Sequence, residues 1–337
     1  MQVTSEGSVR VDLVGGTLDL EPINLILPNV VTLNVATSLK AKVTIEKISE
    51  EKIIIESLDY KKTYEFSLEE MTSQKLHHTD HFKEMSFVLQ IVHYFNIKSG
   101  LKISLKSGAP PGSGLGGSSA MGMTLLKALC KLSNQEFEVN KAVSIIKGIE
   151  GRILNQGVPG YQDYYPAMLG GILCLRGLPG EISYEQLYSK ELTSFLEEHI
   201  TLVYSGISRN SGINNWDVYK GFFDGASDVR SGMNQIAEIS FEAYNAIKAK
   251  RYYDLLELIG NEGESRKSLA AGIVPDIIQD FQKECNSSSL IKGLKMCGAG
   301  GGGCFILTHS SDATDEIEKL LSKYKFEKLD FKIESPL

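Results

Sequence analysis

A glycine-rich string constrains the fold of this chain more than any other feature. Between Pro110 and Ser119 the sequence reads Pro-Pro-Gly-Ser-Gly-Leu-Gly-Gly-Ser-Ser. Upstream, residues 101–105 alternate as Leu-Lys-Ile-Ser-Leu, which is the pattern of a half-buried strand. Downstream, residues 120–132 carry apolar side chains at helical spacing. The string therefore predicts a loop that connects a strand to the start of a helix.

Such a loop has the properties of a phosphate-binding site. Glycines let backbone N–H groups approach anionic oxygens closely, and the following helix adds its positive N-terminal end. Ser118 and Ser119 fall at the predicted helix start, where a hydroxyl caps the helix, binds a phosphate oxygen or ligates magnesium. A glycine-rich turn with a serine cap is the structural alternative. The candidate nucleotide-binding residues are Pro111, Gly112, Ser113, Gly114, Leu115, Gly116, Gly117, Ser118 and Ser119.

The charge and composition favour a small-molecule ligand. The 337 residues include 42 acidic and 35 basic side chains, a formal net charge of −7, which gives no electrostatic surface for nucleic acid or an anionic membrane. No apolar run approaches the ~20 residues of a membrane span. The five cysteines lie scattered in apolar segments, as buried thiols of a reducing compartment do. We expect a cytoplasmic monomer or homodimer without nucleic-acid or membrane partners.

Hydrophobic periodicity predicts a strand-rich first part and a mainly helical second part. Helices are predicted from Phe82 to Phe95, from Ala120 to Leu132 and from Val139 to Leu154. We place a domain boundary near Gly180, which gives domains 1–180 and 181–337. The other predicted elements are strands Val9–Val14, Val30–Val35, Ala41–Ile45, Lys52–Ile55 and Cys304–Leu307 and helices Ser231–Arg251 and Tyr252–Asn261.

The glycine string and two other segments together resemble a known family. Pro-Pro-Gly-Ser-Gly-Leu-Gly-Gly-Ser-Ser-Ala is similar to the second signature of the GHMP kinases, the family of galactokinase, homoserine kinase, mevalonate kinase and phosphomevalonate kinase. Residues 10–20, Arg-Val-Asp-Leu-Val-Gly-Gly-Thr-Leu-Asp-Leu, resemble the first signature of its sugar kinases. Residues 295–305, Lys-Met-Cys-Gly-Ala-Gly-Gly-Gly-Gly-Cys-Phe, resemble the third. The segments occur in the family's order, so the resemblance covers most of the chain.

The resemblance implies a fold and a chemistry. The fold is α+β, with an N-terminal domain of mixed sheet and helices and a C-terminal domain that is ferredoxin-like. The chemistry is kinase activity in carbohydrate metabolism, with ATP as the phosphate donor and Mg²⁺ on its phosphates. ATP and the acceptor are expected in the cleft that the three signatures share.

The resemblance also implies roles for individual residues. Arg10 is placed near the transferred phosphate, although a solvated strand-end charge is the ordinary interpretation of its residue type. Thr17 and Asp19 are placed at the acceptor, where Asp19 accepts hydrogen bonds from sugar hydroxyls. Residues 160–165, Gly-Tyr-Gln-Asp-Tyr-Tyr, resemble the Gly-x-x-Asp-x-Tyr segment that carries the catalytic aspartate. This makes Asp163 the catalytic candidate, as a general base or an orienting anion, and Gly160 a substrate contact.

A magnesium site is implied by the same comparison. Glu150 lies on the helix where the family often places a carboxylate that joins the helix-start serine around magnesium. Ser118 is the better match to the signature and Ser119 is the second choice. An ordinary surface glutamate is the alternative interpretation of Glu150.

The acceptor is expected to be a sugar. Residues 201–209 look like a segment of kinases that act on the anomeric hydroxyl of heptose phosphates, which makes Ser208 and Arg209 candidate substrate contacts. Gly300 and Gly301 of the third signature are further candidates, because glycine lets the backbone approach a ligand. We therefore expect phosphoryl transfer to the anomeric hydroxyl of a heptose 7-phosphate or related hexose. Around Leu18 the first signature departs from the heptose-kinase pattern. Mevalonate, phosphomevalonate or homoserine kinase activity, or a non-catalytic ligand-binding role, are the alternatives.

Overall fold

The computed structural model describes residues 1–72, 75, 76, 79–154, 159–207 and 215–337. Two of the predicted substrate contacts, Ser208 and Arg209, lie outside the described residues.

The first part of the chain forms a mixed sheet, as predicted, and this sheet has seven strands. Its strand order is β4-β3-β5-β2-β6-β7, and β1 pairs with β2. The pairing of β3 with β5 is parallel and the others are antiparallel. The strands are β1 (Gln2–Val14), β2 (Thr32–Ile48), β3 (Lys52–Ser57), β4 (Lys62–Ser67), β5 (Gly100–Lys106), β6 (Ile172–Leu178) and β7 (Glu181–Gln186).

The long strand β2 replaces two predicted strands. Val30–Val35 and Ala41–Ile45 were expected separately, but Thr32–Ile48 is one continuous strand. Its first residues pair with β6 and its last seven with β5, while β1 runs antiparallel along most of its length. Periodicity within one segment does not show such a change of partners, because it depends on strands far apart in the sequence.

Within the described residues, six helices accompany this sheet. They are α1 (Ile23–Ile26), α2 (Thr79–Phe82), α3 (Ser86–Tyr94), α4 (Gly117–Leu132), α5 (Val139–Leu154) and α6 (Tyr165–Leu169). The predicted helix from Phe82 to Phe95 is interrupted by a 3₁₀ turn, Lys83–Met85, in which Lys83 has a left-handed φ of 45°. The helix predicted from Val139 to Leu154 is confirmed. Helix α4 packs against β1 and β2 and buries Leu125 and Leu129 completely, worth about 1.5–3 kcal/mol for each side chain.

The second part of the chain forms a four-stranded antiparallel sheet with helices. Its strands are β8 (Ile200–Tyr204), β9 (Ile291–Met296), β10 (Cys304–His309) and β11 (Glu327–Leu329), in the order β11-β8-β10-β9. This is the strand order of a ferredoxin-like layer, so the predicted architecture is confirmed. Its helices are α7 (Lys190–His199), α8 (Asn215–Asp224), α9 (Ser227–Lys248), α10 (Tyr252–Arg266), α11 (Asp276–Cys285) and α12 (Thr314–Tyr324).

Gly180 lies in a turn between two paired strands of the seven-stranded sheet. With a φ of 86° it occupies the turn between β6 and β7, so this sheet extends to Gln186. The division into domains 1–180 and 181–337 stays a prediction.

Two hydrophobic clusters fill the interior. One lies between the seven-stranded sheet and its helices and continues to Leu202 and Ile306 of the four-stranded sheet, and the other contains Val203 and Phe305 of that sheet. All five cysteines are buried as free thiols. Among the helices that the structure describes, none combines the length and the apolar character needed to cross a membrane.

Candidate active site

The glycine-rich loop takes a backbone form that few other residues adopt. Gly112, Gly114 and Gly116 have left-handed φ angles of 68°, 76° and 71°. A Cβ on Gly114 would lie 2.6 Å from the carbonyl oxygen of Cys297, so the loop packs directly on the third signature. Helix α4 begins at Gly117, with Gly116 as its N-cap. The unpaired N–H groups of its first turn lie beside a cavity.

This cavity has the size of a ligand site. Its volume is about 760 Å³, within the ~300–1,000 Å³ typical of small-molecule clefts. Every predicted nucleotide-binding residue lines it except Leu115. The side chain of Leu115 is instead fully buried in the core, and its carbonyl oxygen accepts a 3.0 Å hydrogen bond from the backbone N–H of Arg10. Leu115 therefore joins the loop to β1.

An apolar wall continues the cavity beyond the loop. Side chains from the 3₁₀ turn, α3, β5 and α4 form it beside the turn between β3 and β4. An apolar surface of this kind suits the ring of a base. Sequence reasoning missed the wall because its residues come from separate segments. Its members include Tyr60, Met85, Phe87, Val88, Leu105 and Met121.

Arg10 and Asp163 form an ion pair on the cavity floor. The guanidinium Nε donates to Asp163 Oδ1 at 2.8 Å, and Nη2 lies 2.6 Å from the same oxygen. Nη1 donates to the carbonyl oxygen of Gly114 at 2.6 Å. The Arg10 side chain is 3% exposed and that of Asp163 is 28% exposed. The arginine is therefore enclosed while the carboxylate remains open to a ligand, and both side chains line the cavity.

A half-buried carboxylate, that of Glu150, lies against the start of α4. Ser119 Oγ donates to Glu150 Oε2 at 3.0 Å, and Tyr164 Oη donates to the same oxygen at 2.7 Å. Burial raises the pKa of Glu150 to about 7, while the hydrogen bond from Tyr164 opposes the rise. The structure thus brings Glu150 together with Ser119, which was the second choice. Ser118 is exposed and lines the cavity.

The oxygen atoms of Ser119 and Glu150 fit magnesium. This ion prefers carboxylate and other oxygen ligands and usually relies on substrate phosphates for part of its shell. Among the residues that the structure describes, no group of three or more His, Cys, Asp or Glu side chains is placed to hold a metal ion. A magnesium ion at Glu150 would therefore depend on a bound polyphosphate as well.

The other end of the cavity is polar. Thr17, Asp19, Gly160 and Gln162 line it. Gln162 donates to Asp19 twice, from its backbone N at 3.0 Å to Oδ2 and from Nε2 at 3.4 Å to Oδ1. Burial raises the pKa of Asp19 to about 6. A Cβ on Gly160 would lie 1.9 Å from Asp19 Oδ2, so only glycine fits beside this carboxylate. Gln162, which sequence reasoning left unassigned, is adjacent to Asp163 in the recognised segment.

The third signature contributes different residues from those predicted. Gly298 and Ala299 line the cavity. Gly300 and Gly301 instead pack on Ile273: a Cβ on Gly300 would lie 2.5 Å from the Ile273 carbonyl oxygen, and the N–H of Gly301 donates to that oxygen at 2.8 Å. These two glycines therefore shape the turn between β9 and β10 rather than the cavity surface.

Several residues of this cavity lie in a segment that matches a known protein family. The family model described as GHMP kinases N terminal domain matches residues 83–171, which include the glycine-rich loop, Glu150 and Asp163. The chain is 28% identical over 312 residues to a D-glycero-alpha-D-manno-heptose 7-phosphate kinase of Campylobacter jejuni, covering 89% of this chain and 87% of that protein. It is 26% identical to a mevalonate kinase of Saccharolobus solfataricus over 87% of this chain and 86% of that protein.

A longer relative carries a second activity in its name. The L-fucokinase/L-fucose-1-P guanylyltransferase of Bacteroides fragilis is 23% identical over 95% of this chain, which spans 36% of that protein. A bifunctional fucokinase of Arabidopsis thaliana is matched over 31% of its length. This chain therefore spans about a third of these two curated relatives.

The fold is shared with solved structures of the family. The mevalonate kinase of Methanococcus jannaschii superposes with a TM-score of 0.76 at 21% identity, covering 99% of this chain and 98% of that one. Together with the sequence matches, this confirms the resemblance to the GHMP kinases that the three signature segments indicated. The chain is therefore similar to GHMP kinases, among them sugar kinases and mevalonate kinases.

Proposed function

We propose that the chain transfers the γ-phosphate of ATP to a hydroxyl of a sugar or sugar phosphate. The observation that carries the proposal is the Arg10–Asp163 pair, which lies on the floor of one cavity between the glycine-rich loop and the polar end at Asp19. ATP bound at the loop and a sugar bound at Asp19 would bring the γ-phosphate and the attacking hydroxyl together next to this ion pair.

The loop supports the donor half of the proposal. Phosphoryl transfer depends mainly on positioning and on stabilising negative charge. The N–H groups at the start of α4 can donate hydrogen bonds to the β- and γ-phosphates, and the positive end of the helix dipole attracts their negative charge. The apolar wall beyond the loop would hold the base. Magnesium, held by Ser119, Glu150 and the phosphates, would neutralise charge that builds up on the phosphate oxygens.

Arg10 and Asp163 act at the transferred group. The partly open carboxylate of Asp163 is able to accept the proton of an attacking hydroxyl, and its bond to Arg10 fixes its orientation. Burial lowers the pKa of Arg10, but the nearby Asp163 and Asp12 more than offset this and raise it overall. Arg10 therefore stays charged, and its guanidinium also stabilises negative charge on the moving phosphoryl group.

The polar end supports a hydroxyl-rich acceptor. Asp19 is a hydrogen-bond acceptor when ionised and Gln162 offers an amide, so together they can bind neighbouring hydroxyls. The heptose 7-phosphate kinase and the fucokinase among the relatives act on sugars by name. We therefore infer a sugar with a free anomeric hydroxyl, such as a heptose 7-phosphate or a related hexose, as the acceptor in the cytoplasm.

A second candidate is an acyclic alcohol. The mevalonate kinase relative is 26% identical to this chain, close to the 28% of the heptose kinase. Mevalonate carries a carboxylate, and an ionised Asp19 at the polar end disfavours a second negative charge beside it. A sugar or sugar phosphate can place neutral hydroxyls beside Asp19 with any phosphate directed elsewhere, so this contact favours the sugar.

A substrate panel with ADP detection tests the proposal. The wild-type chain is mixed with ATP and Mg²⁺ and offered L-fucose, D-galactose, a heptose 7-phosphate, mevalonate or homoserine. Acceptor-dependent ADP release with a sugar or sugar phosphate supports the proposal, and release with mevalonate or homoserine alone supports the second candidate. ATP binding without turnover on any acceptor would contradict both and favour a non-catalytic homologue.

The Asp163→Asn variant tests the residue assignment. Loss of the carboxylate should lower kcat by about 10²–10⁴-fold with little change in ATP affinity. The matched control is Asp254→Asn, because Asp254 also pairs with an arginine, Arg251, but on the exposed surface of α10. Equal rates for Asp163→Asn and wild type would remove Asp163 from the mechanism.

A further inference from the structure

Four charged side chains meet where the two sheets join. Asp12 comes from β1, Glu262 and Arg266 come from successive turns of α10, and Lys295 comes from β9. Arg266 is 1% exposed and the other three are fully buried. Two acids and two bases make the cluster formally neutral, which is the condition under which buried charges are tolerated.

The cluster is closely connected. Lys295 Nζ donates to Asp12 Oδ1 at 2.5 Å and lies 3.8 Å from Glu262 Oε2. Arg266 Nη2 lies 3.2 Å from Glu262 Oε1 and 3.7 Å from Asp12 Oδ2. Burial opposes ionisation of Asp12, but Lys295 and Arg266 hold its pKa below the ordinary value. The carboxylates thus fix Arg266 in one orientation.

One edge of the guanidinium faces away from the carboxylates. Arg266 Nη1 donates to Thr17 Oγ1 at 3.1 Å and to the carbonyl oxygen of Gly298 at 3.1 Å. Thr17 belongs to the first signature and Gly298 to the third, and both line the active-site cavity. A single nitrogen therefore ties two parts of the cavity wall together.

The backbone turn at Thr17 has an unfavourable conformation that contacts from outside the turn must stabilise. Thr17 has a left-handed φ of 72°, a conformation that is unfavourable for a β-branched residue and persists only when its surroundings impose it. The turn has one internal backbone hydrogen bond, from the N–H of Leu18 to the carbonyl oxygen of Gly15 at 3.3 Å, and the N–H of Gly15 donates to Glu262 Oε1 at 3.2 Å.

We infer that Arg266 is a positioning residue for the acceptor. It holds the Thr17 turn and Gly298 at a fixed separation, and so sets the place of Asp19 relative to Asp163. Lysine cannot replace it fully, because an ammonium lacks the planar set of donors that binds two oxygens and two carboxylates together. The effect of Arg266 on acceptor binding rests on the proposed function, whereas its effect on the Thr17 turn does not.

The structural test compares two double variants without ligand. Glu262→Gln with Arg266→Gln removes one ion pair and the contacts to Thr17 and Gly298, while the amide oxygen introduced at 262 can still accept from the N–H of Gly15. Asp12→Asn with Lys295→Gln removes the other ion pair and leaves those contacts. Both variants keep the cluster neutral, so both are expected to fold.

Amide hydrogen exchange measures the result. In the variant at 262 and 266, protection in residues 15–20 should fall by about tenfold, while α3 is unchanged and the variant at 12 and 295 stays within about twofold of wild type. Equal exchange of residues 15–20 in the two variants would overturn the inference. Should the variant at 262 and 266 fail to fold, Arg266→Lys, which keeps the net charge, carries the same comparison.

Kinetics then separate this inference from the proposed function. On an acceptor that wild type phosphorylates, the variant at 262 and 266 should raise the acceptor KM by about tenfold or more, with the KM for ATP within about twofold. In a Thr17→Val background the same change should have a smaller effect, because one contact is already lost. A parallel rise of both KM values would contradict positioning. Altered exchange in a chain that phosphorylates no acceptor would contradict the proposed function alone.

Discussion

Replacing Asp19 with asparagine should stabilise the fold and impair acceptor binding. Asp19 is 2% exposed, and burial raises its pKa from 3.8 to about 6. Between these two values the folded chain holds a proton that the unfolded chain releases, so the fold loses stability as the pH rises from about 3.8 to about 6. Asparagine carries no charge and removes this cost.

The size of the effect follows from the pKa. A rise from 3.8 to about 6 corresponds to about 3 kcal/mol. For 337 residues the unfolding entropy is ~0.7 kcal/mol/K, which makes 3 kcal/mol about 4 °C in Tm. The hydrogen bonds with Gln162 can be kept, because its side-chain amide is able to turn and accept from the amide of the introduced asparagine.

Thermal unfolding at a series of pH values checks this. The Tm of Asp19→Asn should match wild type below pH 4, exceed it progressively up to pH 6 and stay about 4 °C higher at pH 7–8. Acceptor binding should weaken at pH 7–8 in the same variant. A Tm difference independent of pH, or a lower Tm at pH 8, would refute the assignment of a buried, destabilising carboxylate.

Three further substitutions test the proposed binding sites for ATP and its metal ion. Gly116→Ala should weaken ATP binding in calorimetry, because φ is 71° there and the new Cβ would lie 3.0 Å from Asp163 Cγ; unchanged affinity would contradict the loop assignment. Ser119→Ala should weaken Mn²⁺ binding to the ATP complex, measured by electron paramagnetic resonance, more than Ser118→Ala does, and the reverse order would restore Ser118 as the ligand. Tyr164→Phe removes a 2.7 Å hydrogen bond to the carboxylate and should cost about 1 kcal/mol of stability and weaken Mn²⁺ binding; loss of stability with unchanged Mn²⁺ affinity would limit Tyr164 to a structural role.

The parts of the site that sequence predicted best are local. The glycine string, its strand and its helix are consecutive in the chain, so their spacing already determines a loop before a helix start. Arg10 and Asp163 were identified through signature segments, and their ion pair is consistent with that assignment. Their separation of 153 residues would otherwise have hidden it.

The choice between the two serines depended on helix phase. Successive residues of a helix point about 100° apart, so only one of two neighbouring serines can face α5. In α4, Ser119 faces Glu150 and Ser118 is exposed. The sequence did not show which of the two serines lies on the face that packs toward α5.

The charged cluster was outside the reach of sequence patterns. Glu262 and Arg266 look like an ordinary surface pair at helical spacing, and Lys295 and Asp12 are 283 residues apart. Only the packing of α10 and β9 against β1 brings them together and buries them. Within the third signature, Gly300 and Gly301 pack against Ile273 whereas Gly298 lines the cavity, a difference that a run of glycines does not show.

The most direct test of the account is a crystal structure of the chain with Mg²⁺ and a non-hydrolysable ATP analogue. We expect the β- and γ-phosphates within hydrogen-bond distance of the N–H groups from Gly114 to Ser119, and the γ-phosphate between Arg10 and the polar end at Asp19. A nucleotide bound elsewhere, or a γ-phosphate directed away from Asp163, would contradict the proposed phosphoryl transfer.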